Sequence, residues 1–340
     1  MSDYSNTGQI YKTHFLPENH TVLINPTTID LLTRDYQHDK PDRIMFASDS
    51  ASNYSKSFSD RITPEFLSSN PTFAIPRIYK SFKEQKQRTQ KKAEVFTPTW
   101  VINNMNNLID DAWFSEKAED KNIKQPFNIE GEKSWTTNTD TIDFTAYGRE
   151  PIEYITSTRL EIACGEAPFV VSRYNAATGE FIPVQDRVGL LDRKFRICNE
   201  VCNDEQEWFC AVLLAYQSMY GYEYQGDNLL VARLNLLYTF AENYEYKFRK
   251  LLDNEKYIKI IAEVIGYNLW QMDGLTNCLP TDKEGFNLKW LNKGKTVKEA
   301  EKNKKYLEKW IEDNDLVYGK IINWKQMEMI KFVDIMKGSK

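Results

Sequence analysis

Histidine is scarce, paired cysteine is absent and long apolar runs are missing. The 340-residue chain has three His, His14, His20 and His38, and no two are spaced i, i+4 to share one helix face. Its five cysteines (Cys164, Cys198, Cys202, Cys210 and Cys278) show no Cys-x-x-Cys pair. Neither a zinc site nor a disulfide framework is suggested. No charged-then-apolar leader opens the chain, and no apolar stretch approaches the roughly 18 residues of a membrane helix. A cytoplasmic address and no membrane partner are therefore expected. Charge of one sign is lacking too, since 44 Lys and Arg face 49 Asp and Glu for a net −5. That balance argues against wholesale electrostatic wrapping of DNA and leaves only local basic surface. The 41% hydrophobic content and 340-residue length suffice for one large core plus a smaller lobe.

Residues 158–171 organise the rest. Arg159-Leu160-Glu161 reads as a strand edge reaching an acid, followed by Ile162-Ala163-Cys164-Gly165-Glu166-Ala167-Pro168-Phe169. Small residues at a strand-to-helix turn let a ligand approach the backbone. A helix N-terminus behind the turn would offer free N–H groups and a positive dipole end. Glu161 can accept hydrogen bonds from a ligand amine or hydroxyl. An ordinary tight βα turn gives the same spacing. A second strand-like run ends at Glu223 and precedes the apolar helical face of residues 229–237. An acid in that position holds a ribose diol in nucleotide-type Rossmann sites. A third run ends at Asp273, and upstream Thr97-Pro98 reads as a cap followed by the first helical residue.

These segments resemble the adenine-specific N6 DNA methyltransferases of restriction–modification systems, of the type I and type IIG modification-subunit kind. Phe96-Thr97-Pro98 matches the family's Phe-Thr-Pro segment. Residues 161–169 match its first motif, Asp-Pro-Ala-Cys-Gly-Ser-Gly-x-Phe, with Glu161 for Asp and with Glu166 and Ala167 for Ser and Gly. The Gly226-Asp227-Asn228-Leu229-Leu230 run, continuing through Ala232-Arg233 to Asn235, is close to the helix after the second acid. The resemblance spans residues 91–280 in the family's order. It implies an α/β, Rossmann-like fold that uses S-adenosylmethionine (SAM). It also implies a cofactor site containing Thr97, Glu161, Ala163, Cys164, Gly165, Glu166, Glu223 and Asp273. Glu223 would hold the ribose and Asp273 the adenine amino group, while Glu166 would set a negative charge near the SAM carboxylate.

Three regions are expected: an irregular or helical part at 1–90, a methyltransferase-like domain at 91–285, and a basic helix with a hairpin at 286–340. Residues 77–92 read as a helix dense in Lys and Arg, either a solvated face or a phosphate-contacting one. Residues 293–309 form a second basic segment. Val101, Ile102, Met105, Leu108 and Ile109 give the apolar stripe of an amphipathic helix. Residues 114–150 look irregular. About 60 residues separate Glu161 from Glu223, and the insert at about 172–215 suggests a hairpin with a Thr178-Gly179 turn followed by a helix. Tyr220, Tyr222 and Tyr224 alternate around Glu223, for core packing or stacking on a cofactor adenine, with core packing favoured for at least two of them. In the tail, residues 319–324 and 327–333 read as a hairpin around Lys325-Gln326.

The family's catalytic Asn/Asp-Pro-Pro-Tyr motif has no counterpart after Asp273. Asn70-Pro71-Thr72-Phe73 lies before the cofactor motifs and reads as an Asn-Pro turn, and Asn277-Cys278-Leu279-Pro280 is too close to Asp273 for a separate strand. Nor does the tail leave room for a target-recognition domain. Three functions are open. One is a DNA adenine N6-methyltransferase-like modification subunit that needs a partner for catalysis or target recognition, with DNA reached through the partner or the basic segments. Another is a non-catalytic SAM-binding or structural module of a restriction or phage-defence assembly. The last is a SAM-dependent enzyme acting on RNA or a small molecule.

Overall fold

The computed structural model describes residues 23–38, 40, 42–80, 97–282 and 297–338. His14, His20, residues 81–92, Phe96 and residues 293–296, all singled out above, lie outside them. The chain is a mixed α/β protein with a small parallel sheet. It begins with two short capped helices, α1 (Pro26–Thr33) and α2 (Pro64–Ser69). Asn25 and Thr63 each accept a backbone N–H of the first turn, and each is followed directly by a proline at the helix start. Helix α3 (Thr99–Lys117) leads to a hairpin of β1 (Asn128–Gly131) and β2 (Ser134–Thr137), then to α4 (Pro151–Ile155). Strand β3 (Arg159–Glu161) is followed by α5 (Leu190–Val201) and α6 (Glu205–Gln217). Next come β4 (Met219–Glu223), α7 (Gly226–Phe248), α8 (Glu255–Asn268) and β5 (Leu269–Gln271). The tail holds α9 (Val297–Asp313), an antiparallel pair β6 (Lys320–Asn323) and β7 (Glu328–Lys331), and α10 (Phe332–Met336).

Strands β3, β4 and β5 form the sheet in that order, all parallel, with Glu161 opposite Gly221 and Glu223 opposite Gln271. Alternation along a strand sends neighbouring side chains to opposite faces. Tyr220 and Tyr222 accordingly join Trp270 and Met272 on one face, where Ile322 and Phe332 of the tail cover them. Met219 and Leu269 turn the other way, into the main core. The tail thus occupies a sheet face that an α/β fold ordinarily gives to helices.

Residues 23–80 pack into the main core. Leu31, Leu32, Phe46, Ile62, Phe66 and Phe73 share one core with α7 and α8. The N–H of Gly226 donates to the Phe46 carbonyl, and a Cβ at Gly226 would lie 2.0 Å from the Met45 carbonyl oxygen. Any side chain there must push that backbone away. Gly226→Ala is expected to destabilise by about 1–3 kcal/mol through overpacking. A chemical-denaturation midpoint equal to wild type would reject this account of the contact.

Helix α3 reverses the expected orientation. Ile102 is buried, but Met105, Leu108 and Ile109 are exposed, while Asn103, Asn106, Asn107 and Asp110 are buried. These four polar residues recur at the same helical spacing as an apolar stripe. Asp110 pairs with Arg193 at 2.6 Å, and Arg193 also donates to Asn103 and Asn107. Asn106 donates to the carbonyls of Phe169 and Val188. Buried charge is tolerated when it is paired and hydrogen-bonded, so here the polar face turns inward.

Other expectations shift locally. Pro98, not Thr97, is the N-cap of α3, because its carbonyl accepts the first helical bonds, and no side chain caps that end. Residues 114–150 carry the end of α3 and the β1–β2 hairpin rather than irregular chain. Arg77 is buried, and the half-buried Lys80 pairs with Asp227 at 3.0 Å, so neither offers a phosphate-contacting face. Residues 77–79 form a single 3₁₀ turn rather than the start of a long helix. The tail hairpin and the Gly179 turn follow the expected pattern, the latter with φ of 80° and a Tyr174–Phe181 bridge. Phe73 is packed in an aromatic cluster with Phe46, Tyr54 and Phe66. No helix among the described residues is long and apolar enough to cross a membrane.

Candidate functional site

A cavity of 480 Å³ opens where β3 and β4 end. Thr97, Glu161, Ala163, Cys164, Gly165, Glu166 and Glu223 all line it. Parallel sheets bind ligands at this end, outside the carboxyl termini of their strands. Asp273 is not among the lining residues. It lies two residues past β5, bridged to Cys278, with a carboxylate oxygen accepting the Leu275 N–H.

The segment after β3 is a chain of turns, not a helix, and α5 begins only at Leu190. Ala163, Gly165 and Ala167 all have positive φ, at 50°, 56° and 62°. Two alanines in the left-handed region cost energy that glycine would not, and such strain collects at functional sites. The expected helix dipole is therefore absent from this turn. Its backbone is fixed instead by Cys164 N–H donating to the Tyr222 carbonyl at 2.8 Å and by Ala167 N–H donating to the Cys164 carbonyl.

The acids have distinct environments. Glu223 is buried, and its carboxylate accepts the Gly165 N–H at 2.9 Å and the Gln225 N–H at 3.0 Å. It therefore ties the β3 turn to the start of α7. Glu166 accepts the Arg77 N–H at 2.5 Å and the Tyr174 hydroxyl at 2.6 Å, so the charge expected near a ligand is held by the wall. Asn235 completes that corner by donating to the Glu166 carbonyl and to the Tyr174 hydroxyl oxygen, each at 3.0 Å. Glu161 is half-buried, and no hydrogen bond or ion pair among the described residues engages its carboxylate. Burial pushes that carboxyl up to about 7. Burial, then the Glu223 and Glu161 charges, raise the Cys164 thiol well above its ordinary range, which removes it as a nucleophile.

Sequence reasoning did not find Arg77, Tyr174, Gln225 or Asn228 in the wall. Arg77 and Tyr174 come from remote segments with no motif. Gln225 and Asn228 flank the start of α7 and could have been inferred from their closeness to Glu223. Tyr224, the one tyrosine of the alternating set outside the second core, also lines the cavity.

The Glu161 shift has a definite pH consequence. A carboxyl raised from 4.5 to about 7 on folding contributes stability that is complete below 4.5. That contribution is lost as pH rises through about 7. The ionised fraction climbs from about one tenth at pH 6 to about nine tenths at pH 8. Melting curves should therefore show Glu161→Gln gaining on wild type between pH 6 and 8. Parallel curves for the two proteins across that range would reject the assignment.

The fold is mixed α/β, with a cavity at the ends of a small parallel sheet. No protein family, curated protein or solved structure matches the chain.

Proposed function

We propose that the chain is the SAM-binding subunit of a DNA adenine N6-methyltransferase, with a Rossmann-like core, and that catalysis or target recognition needs a partner. The observation that carries this reading is the pair of carboxylates at adjacent strand ends in one cavity, one of them without a partner among the described residues. Such a cavity favours a ligand with a cationic amine and a vicinal diol. It disfavours polyphosphate, because its acids would repel it. SAM fits that pattern, its ammonium and ribose hydroxyls as hydrogen-bond donors and its sulfonium as positive charge. When bound it supplies a transferable methyl group. The chain's own residues then bind and orient: Glu161 receives donors from the ligand amine, Glu223 those of the diol, and the strained turn brings backbone close to it.

Dependence on a partner rests on what the two Asn-Pro-like fragments do. Phe73 is locked in the aromatic core. Residues 277–280 are engaged by the Asp273 and Tyr318 bridges to Cys278. Neither presents an aromatic ring and an amide to a flipped base, which base methylation requires. Calorimetry with SAM and tritiated-methyl transfer to mixed-sequence DNA test the two halves separately. Binding without transfer is expected from the chain alone, and transfer only with products of neighbouring reading frames. Undetectable binding at millimolar SAM rejects the cofactor reading. Robust N6-methyladenine from the isolated chain rejects the partner.

A further inference from the structure

Three carboxylates, Glu161, Glu166 and Glu223, line the cavity against one cationic residue, Arg77. Acids attract a ligand's amine or hydroxyls, but each of them repels a ligand carboxylate. Glu166 is the one whose direction is set by another side chain. Its Oε1 accepts the Arg77 N–H at 2.5 Å, and its Oε2 accepts the Tyr174 hydroxyl at 2.6 Å. Tyr174 belongs to the hairpin after the β3 turn, where it bridges to Phe181.

The hydroxyl of Tyr174 has one hydrogen to give. Asn235 of α7 donates to the hydroxyl oxygen at 3.0 Å, so that hydrogen is directed at Glu166. The Asn235 amide is oriented in its turn, because its oxygen accepts an Arg173 N–H at 3.3 Å. Arg173 is buried and is fixed by two bonds from its Nε to Glu242. Each donor in the series Arg173, Asn235, Tyr174 thus sets the direction of the next. Burial, then the Glu166 charge, holds the Tyr174 phenol well above its ordinary range, so it is a donor at neutral pH.

We propose that Tyr174 is the residue that lets this cavity take a ligand bearing a carboxylate. By holding the Glu166 carboxylate in the wall, it keeps the third acid away from the ligand's own. The hairpin, with Arg173 and Asn235 behind it, is then a positioning device for the amino-acid end of the ligand. This rests on the cofactor reading, since SAM carries such an end beside its nucleoside.

Calorimetry with two probes tests it. S-adenosylhomocysteine has the carboxylate, whereas 5′-methylthioadenosine has the same nucleoside and thioether without the amino-acid end. Tyr174→Phe removes one hold on Glu166, and its affinity for S-adenosylhomocysteine should fall about tenfold or more. Its affinity for 5′-methylthioadenosine should stay within about threefold of wild type. Adding Glu166→Gln should return S-adenosylhomocysteine to within about threefold, because the amide oxygen still accepts the Arg77 N–H and no charge remains. Where a melt shows that Tyr174→Phe does not fold, Glu166→Asp replaces it. The shorter acid cannot reach both donors, and the same split between probes is expected. An equal loss for both probes makes this corner merely structural and overturns the proposal. No loss for either probe overturns it, and so does a Glu166→Gln addition that restores nothing. Wild type that takes 5′-methylthioadenosine but not S-adenosylhomocysteine overturns it as well. Wild type that binds neither probe nor SAM rejects the cofactor reading and the proposal together, an outcome distinct from the others.

Discussion

Arg233→Met is expected to destabilise the protein by at least about 3 kcal/mol, the scale at which a buried hydrogen-bonding hub is lost. Arg233 is fully buried in α7 and faces no carboxylate in hydrogen-bond contact. Its guanidinium donates instead to the carbonyls of Leu32, Arg34, Gly266 and Leu269, at 2.6 to 3.0 Å. Those four oxygens end α1 and form the link between α8 and β5. One planar fork with five donors thus satisfies carbonyls both 201 positions before it and 33 to 36 positions after it. Burial lowers its pKa to about 10, so it remains charged at neutral pH. Methionine fills a similar volume but leaves all four acceptors in apolar surroundings. Arg233→Lys keeps the charge yet has a single nitrogen, so it should recover only part of the loss. Urea denaturation of the three proteins decides the matter. A Met variant within about 1 kcal/mol of wild type would mean that water or a shifted backbone replaces the guanidinium.

How much of this was legible follows from which interactions leave a local trace. The strand-then-acid runs ending at Glu161 and Glu223 were visible because a short apolar run terminated by a carboxylate has few other uses. The Tyr220–Tyr222 alternation was visible for a similar reason, since period two is a strand's signature. The orientation of α3 was hidden because Asn103, Asn106, Asn107 and Asp110 carry the helical period as faithfully as its apolar residues do. Hydropathy selects the wrong stripe once Arg193, 83 positions away, supplies the charge that makes the polar face buriable. The wall formed by Arg77, Glu166 and Tyr174 was hidden because it joins three segments through a backbone N–H, a carboxylate and a hydroxyl. Glu166 looked like a misplaced charge in the motif. Its partners lie 89 residues before it and 8 after, and without them its role could not be read.

Glu223→Ala is expected to weaken SAM binding by about 1.5–3 kcal/mol, the value of charge-assisted hydrogen bonds to a diol. In the free protein this carboxylate is not idle. It takes the N–H groups of Gly165 and Gln225, so it is already aligned with the turn that borders the ligand. A ligand diol must then share the carboxylate with two backbone donors, and each oxygen has lone-pair capacity for both. Removing it has two effects that can be separated. The orphaned N–H groups should lower stability by about 1–3 kcal/mol, read from denaturation without ligand. The lost diol contact should lower affinity, read by calorimetry at a temperature where both proteins are folded. Glu223→Gln keeps one oxygen for one of the two N–H groups and turns its NH2 toward the other, so it should restore only part of the stability and little of the affinity. S-adenosylhomocysteine supplies the control. It has the same ribose without the sulfonium, so the Glu223 variants should lose the same factor for both ligands. Glu161→Gln should instead show its defect only above about pH 7, where the wild-type carboxyl is ionised. Equal affinity of wild type and Glu223→Ala for both ligands would take Glu223 out of the contact and leave it a purely structural tie between β3 and α7.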